Sequence, residues 1–170
     1  MNNTIDNKEF VKLIQENKGI VFKICNSYCH NKEDREDLAQ EIIYQLWRSC
    51  QTFRADLKFS TWMYKVALNV AISFNRKSKR VNTMVPLSED LKNIEDENDD
   101  YENEYEKTRK LLHQFINELK ELEKALIILF LEKKSYKEIA EIMGITETNV
   151  ATCICRIKNK IKQKFINFNY

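Results

Sequence analysis

Residues 135–165 read SYKEIAEIMGITETNVATCICRIKNKIKQKF, and this stretch decides how the chain is understood. The whole protein has two glycines, and one of them, Gly144, sits in the middle of it. At about 100° per residue, Val150, Ile154, Ile157 and Ile161 fall on one narrow apolar seam of a helix. Thr148, Thr152, Arg156 and Asn159 fall on the opposite face, with Lys158 and Lys162 on the flanks. The preceding segment places Tyr136, Ile139, Ala140 and Met143 at matching spacing. Ala140 lets two helices approach closely. Gly144 can take the left-handed C-cap conformation that Ile145 would resist, and Thr146 can cap the next helix by accepting a backbone N–H. The pattern predicts a helix-turn-helix whose second helix enters a DNA major groove. Its bland alternative is an amphipathic hairpin with a solvated basic tail. The acid-free run after residue 150, with five bases, favours DNA.

Working outward, the 170 residues have one proline, two glycines and 32% charged side chains. That leaves little turn chemistry for strands and predicts an all-α chain. No run of about 18 apolar residues exists to span a membrane. The start, MNNTIDNKEF, lacks the basic-then-apolar layout of a signal peptide, so a cytoplasmic protein without membrane insertion is expected. Five cysteines (Cys25, Cys29, Cys50, Cys153 and Cys155) show no paired CxxC spacing. Cys25, Cys29 and His30 can share a helical surface, but free buried thiols are the commoner fate. Neither a metal nor another cofactor is expected. With two histidines, no Gly-rich phosphate loop and no nucleophile–base pair, no catalytic constellation is apparent.

The net charge of +2 conceals a pattern. Residues 52–80 carry seven bases against one acid, and residues 81–106 carry one base against ten acids. Both basic ends suit a polyanion; the acidic middle does not. That middle also holds the only proline and almost no apolar periodicity, so it reads as a flexible linker. Two small helical domains, 1–80 and 107–170, then lie either side of linker 81–106. In the first, Phe10, Leu13, Ile14, Val21, Phe22, Ile24 and Cys25 keep helical spacing. A second helix runs through DREDLAQEIIYQLWRS, with acids in its first turn and Arg48 near its end. Here Asp34, Glu36, Asp37, Gln40 and Glu41 form a polar face backed by Leu38, Ile42, Leu46 and Trp47. A third helix runs through FSTWMYKVALNVAISFNRKSKR, with Ser60 as its expected N-cap. Phe53, Phe59, Trp62 and Tyr64 lie among Arg54, Lys58 and Lys65, a combination that can hold an unstacked strand, although some of these rings must be core and Trp62 suits core as well as platform. Arg76, Lys77, Lys79 and Arg80 suit phosphate.

With these residues placed, the chain resembles the extracytoplasmic-function class of bacterial RNA polymerase sigma factors over nearly its whole length. EDREDLAQEIIYQLWRS resembles that family's core-polymerase-binding helix, including a D-x-x-Q-E at Asp37, Gln40 and Glu41. FSTWMYKVALNVAISFNRKSKR is similar to its promoter-melting and −10-reading segment. KELEKALIILFLEKKSYKEIAEIMGITETNVATCICRIKNKI is similar to its −35-reading domain. Some positions depart from the family: Leu68 and Ser73 stand where a base and an acid are frequent, and Ala151 and Cys153 where bases are frequent. These departures bear on which promoter sequence is read.

The resemblance implies a specificity subunit, not an enzyme, whose partners are core RNA polymerase and promoter DNA, with an anti-sigma factor as a further candidate. It implies polymerase contacts from Asp34, Asp37, Gln40, Glu41 and Gln45. It implies −10 and melting contacts from Phe59, Ser60, Thr61, Trp62, Lys65, Asn69, Arg76, Lys77 and Arg80. For the −35 element it implies Thr146, Glu147, Thr148, Asn149, Thr152, Arg156, Lys158 and Lys160. Three other readings are a free-standing helix-turn-helix regulator, a helical adaptor and an enzyme acting on nucleic acid. The first lacks a use for DLAQEIIYQLW, the second for the basic–acidic–basic layout, and the third lacks catalytic groups.

Overall fold

Asn17 divides the first apolar run into two helices, α1 (Asn7–Glu16) and α2 (Lys18–Tyr28). Its side-chain amide and backbone N–H both bond the Leu13 carbonyl, at 2.8 and 3.1 Å, which closes α1. The architecture is that of a computed structural model describing residues 6–53, 56–84 and 104–168 (81–84 as backbone only). Phe10, Val21, Ile24 and Cys25 are buried as their spacing predicts. Phe22 is not: it is 69% exposed, because one step past Val21 turns it about 100° out of the stripe.

Helix α3 (Lys32–Ser49) begins at Asn31, whose side-chain oxygen accepts the Asp34 N–H at 2.7 Å. Glu33 and Asp34 in its first turn and Arg48 in its last complement the helix dipole. Leu38, Ile42 and Leu46 carry its buried stripe. Trp47, expected to back the polar face from inside, is instead 43% exposed and meets Phe10 edge-on at 5.2 Å between centroids. A 3-10 turn (Cys50–Thr52) leads towards α4 (Phe59–Met84). With Ser60 as N-cap the helix would open at Thr61; it opens two residues earlier, with the Trp62 N–H bonded to the Lys58 carbonyl at 3.2 Å. Ser60 is therefore in the first turn and does not cap it. Met63, Ala67, Leu68 and Ala71 are buried along α4, the two alanines letting α2 and α3 pack close.

The C-terminal half comprises α5 (Glu104–Asn117), α6 (Glu121–Leu131), α7 (Tyr136–Met143) and α8 (Glu147–Phe168). Helix α7 opens with a capping box: the Ser135 hydroxyl accepts the Glu138 N–H at 3.2 Å, and the Glu138 carboxylate accepts the Ser135 N–H at 2.9 Å. It closes at Gly144, φ +68°, where the Ile145 N–H reaches the Ala140 carbonyl at 3.1 Å. Thr146 then accepts the Asn149 N–H at 3.2 Å and caps α8. Val150, Ile154 and Ile157 are buried and Ile161 half-buried, as the seam requires. On α7 the buried positions are Ile139, Ala140 and Ile142, whereas Tyr136 lies largely outside. At the far end of α8, Phe165 meets Phe115 of α5 edge-on at 5.0 Å.

The two halves share one continuous apolar core. Helices α6 and α7 lie against α4, and the Tyr28 hydroxyl donates to the Glu121 main-chain carbonyl at 2.8 Å. Helix α4 runs to Met84 and α5 starts at Glu104, so both enter the segment expected as linker. The remainder of that segment, residues 85–103, and Arg54 lie outside the described residues. Among the described residues no helix is long and apolar enough to cross a membrane.

Gly144 and Lys133 test the turn chemistry as a matched pair. A Cβ at Gly144 would meet nothing within 4 Å, so any cost of Gly144→Ala is the left-handed dihedral itself, about 1–2 kcal/mol. Lys133 ends α6 at φ +57° with the same carbonyl-closing geometry, the Lys134 N–H reaching the Leu129 carbonyl at 3.1 Å. Lys133→Gly should therefore raise the urea midpoint, and Gly144→Ala should lower it, both with an unchanged m-value.

Candidate nucleic-acid and polymerase surfaces

The N-terminus of α8 presents Glu147, Thr148 and Asn149 to solvent, and Thr152 and Arg156 continue that exposed face. Thr152 donates back to the Thr148 carbonyl at 3.0 Å, which orients its hydroxyl along the helix. Asn149 accepts from the Cys153 thiol at 3.4 Å. The thiol thus occupies part of the amide and links two neighbouring positions of the face. Two residues expected on this surface are turned towards their own domain. The Lys158 ammonium lies over the Phe130 ring at 4.1 Å, and Lys160 pairs with Glu123 at 2.5 Å. Both sit a turn or more beyond the N-terminal end that meets base edges in this motif.

In the N-terminal half, α3 and α4 flank a groove of about 970 Å³. Asp37, Gln40, Glu41 and Gln45 line it from α3, and Asn69 and Lys77 from α4. Residues expected to face two different partners therefore share one depression. Gln45 donates to Glu41 at 2.8 Å, holding that carboxylate along the helix. Asp34 stands apart, near the start of α3, where its carboxylate accepts from the Asn31 side chain at 2.7 Å.

The exposed side of α3 also carries Ile43, Tyr44 and Trp47. With Gln40 they follow i, i+3, i+4, i+7 spacing, so they form one partly apolar stripe. This spacing is visible in the sequence, but the inward stripe of Leu38, Ile42 and Leu46 already satisfies a single amphipathic face.

At the start of α4, Phe53, Phe59 and Trp62 form a closed aromatic cluster with centroids 5.2–5.6 Å apart. Phe59 and Ser60 are half-buried, while Thr61 and Trp62 are buried. The last two cannot offer their side chains to DNA in this arrangement, because the helix turns them into the core beside Met63. Lys65, Asn69, Arg76, Lys77 and Arg80 are exposed along α4. Burial pushes the Cys25 thiol up to about 11, aided by Cys29, and pushes Cys29 to about 11 as well. At these values both thiols are protonated at neutral pH.

Two segments of the chain match known families: residues 13–81 match Sigma-70 region 2, and residues 109–161 match Sigma-70, region 4. The chain is 33% identical to the RNA polymerase sigma factor SigV of Bacillus subtilis, over 86% of this chain and 84% of that protein. It belongs to the sigma-70 family, in the extracytoplasmic-function class. This sigma factor is also 30% identical to the ECF RNA polymerase sigma-E factor of Escherichia coli K12, over 94% of this chain and 87% of that one. Its fold is that of the sigma factor RpoE solved with the anti-sigma factor NepR from Bartonella quintana. The TM-score is 0.70 at 18% identity, covering 93% of this chain and 97% of that one. A second solved structure, CnrH in complex with the cytosolic domain of CnrY, gives 0.67 at 15% identity, with coverages of 95% and 90%. Sigma factors of this family are non-enzymatic initiation factors.

In this sigma factor the seam and the polar face of α8 should separate cleanly in stability measurements. Ile154→Ala empties a fully buried site and should cost about 2–5 kcal/mol. Thr148→Ala and Arg156→Ala, on the exposed side, should each stay within about 0.5 kcal/mol. Lys158→Ala should fall between, losing an exposed cation–π contact of about 0.5–1 kcal/mol. Urea unfolding of the three classes checks the order.

Proposed function

We infer that this sigma factor binds core RNA polymerase and directs it to promoters, with α4 serving the −10 element and its melting and α8 the −35 element. The observation that carries this is a capped helix-turn-helix with a polar outer face, in the same chain as a region 2 unit. Region 2 comprises α1–α4 and region 4 comprises α5–α8, with the acidic segment between them as the connection. A protein working with core polymerase works in the cytoplasm, and this one contributes recognition and strand holding without catalysing a reaction. It needs no cofactor for that.

The roles divide by chemistry. Asp37, Gln40, Glu41 and Gln45 offer carboxylates and amides to polymerase, with Ile43, Tyr44 and Trp47 adding apolar area beside them. Asp34 extends the acidic face towards the start of α3. Arg76, Lys77 and Arg80 hold phosphates, while Lys65 and Asn69 face the strand and Phe59 and Ser60 flank its entry. Glu147, Thr148, Asn149, Thr152 and Arg156 read or position −35 DNA, with Thr146 fixing the helix start. Lys158 and Lys160 contribute positive potential near that helix.

Run-off transcription with purified core polymerase and a promoter library tests the reading as a whole. Specific transcripts should appear only when this protein is present, and their absence across the library would reject it. Asp37→Arg should then lower affinity for core polymerase while leaving the unfolding midpoint in place, since the side chain is exposed. At the other end, a bidentate guanine contact from Arg156 predicts a loss of about 1–3 kcal/mol on Arg156→Ala and relaxed preference at one −35 position. A phosphate contact predicts equal weakening on all sequences, and competition binding separates the two. Neutralising Arg76 and Lys77 should reduce the salt slope of promoter binding by about one each.

A further inference from the structure

Two side chains at the base-reading end of α8 have part of their polar chemistry already committed. Asn149 is exposed in the first turn of the helix, with its backbone N–H taken by the Thr146 cap at 3.2 Å. Its Oδ1 accepts from the Cys153 thiol at 3.4 Å. Cys153 is half-buried and packs against the core, so the thiol is anchored and the amide is the group that turns to meet it. Thr152 is three residues from Asn149 and therefore its neighbour on the surface. Its hydroxyl proton goes to the Thr148 carbonyl at 3.0 Å. What Asn149 has left to offer outward is its Nδ2 amino group, a donor of two protons. What Thr152 has left is a methyl group and the lone pairs of its hydroxyl.

We propose that Cys153 is a positioning residue that sets which base Asn149 reads: by holding Oδ1 along the helix it leaves the amino group for the groove, and so selects a keto base, guanine or thymine, over adenine at one −35 position. The proposal rests on the sigma-factor reading and deepens it by naming the class of base. An asparagine favours adenine through both ends of its amide, Oδ1 accepting from N6 and Nδ2 donating to N7. With Oδ1 turned towards Cys153, the adenine N6 amino group loses its partner. Guanine presents N7 and O6, and thymine presents O4, all of them acceptors for an amino group. Thymine also brings a methyl group, which the neighbouring Thr152 methyl can contact. A thiol is a weak donor, so this contact tilts a preference and leaves DNA binding itself in place. Asn159 and Cys155 repeat the i, i+4 pairing in the opposite sense, the amide nitrogen donating to sulfur at 4.0 Å. That pair sits about 15 Å further along the axis at about 1.5 Å per residue, away from the end that meets base edges.

The test uses the full chain with core polymerase and competing promoters that carry each of the four bases at every −35 position. One position should prefer guanine or thymine, and Cys153→Ala should raise adenine on the same strand there by about threefold relative to the preferred base. Cys153→Ser keeps a donor at that place and should return the wild-type ranking. In an Asn149→Ala chain, adding Cys153→Ala should change no ranking. Each ranking compares DNAs on one protein, so a variant that is only less stable lowers every sequence alike. An unchanged ranking in Cys153→Ala, or the same change when Asn149 is absent, overturns the proposal. A second measurement needs no DNA. The infrared S–H stretch of Cys153, isolated by subtracting the Cys153→Ala spectrum, should lie at lower frequency in the wild type than in Asn149→Ala, because donation weakens the S–H bond. An amide turned the other way would make the sulfur an acceptor and leave the band unmoved, which also overturns the proposal. Absent run-off transcripts reject the sigma-factor reading and this proposal with it, whereas transcripts with an unmoved ranking reject this proposal alone.

Discussion

A helix that must both pack and read DNA has to divide its circumference, and in this protein α8 gives its core only a narrow strip. Val150, Ile154 and Ile157 are the buried positions of a 22-residue helix. Ile161 and Phe165 extend that strip towards the C-terminus, and the exposed remainder of its N-terminal part is left for caps, partners and DNA. So slender a seam holds the helix at one rotation only if its start is fixed independently. The glycine turn and the Thr146 cap do that. If α8 rotated by a single residue, about 100°, Asn149, Cys153 and Arg156 or, in the other sense, Ala151, Cys155 and Lys158 would turn towards the core and the seam would leave it. The orientation of the DNA face is therefore a by-product of three aliphatic side chains and a positive φ.

Periodicity and turn chemistry account for what could be read in advance. The seam, the left-handed glycine, the Thr146 cap and the buried stripe of α3 are local or strictly periodic, and each has one favourable arrangement. The misjudged positions have no such uniqueness. Trp47 satisfies the apolar pattern of α3 from either side, and Phe10, which decides its place, is contributed by another helix. Tyr136 and Ile142 lie on opposite flanks of Ile139 on α7, and the flank that the fold buries is the one with the aliphatic residue. Ser60 is a good capping residue, but the chain turns into the helix two residues sooner. Thr61 and Trp62 belong to a segment that has both core and strand-holding uses, and pattern alone does not assign its individual side chains.

Charges were the hardest to place from sequence, because a lysine has several acceptable acceptors and a long reach. The resemblance implies Lys158 and Lys160 as DNA contacts, yet each has a partner within its own half, the Phe130 ring and Glu123. The same uncertainty applies to Lys23, Lys58 and Lys79, whose partners lie 42–109 residues away in sequence and 80 away for Lys58. Composition detected the basic and acidic blocks, but most of the acids that meet these lysines come from α6 and α7 rather than from the acidic middle. Net charge by block measures what a segment attracts and says little about which atoms it meets.

The two hydrogen bonds from Tyr28 to the Glu121 carbonyl and from Lys124 to the Ser27 carbonyl end on main-chain oxygens. Such acceptors survive replacement of the residues that carry them. Over evolutionary drift, positions 27 and 121 can therefore change identity without erasing the docking register between the halves. The ion pairs can be retuned one charge at a time. Alignment and strength are thus held by separate atoms, and a lineage can adjust how tightly the halves dock without changing where they dock.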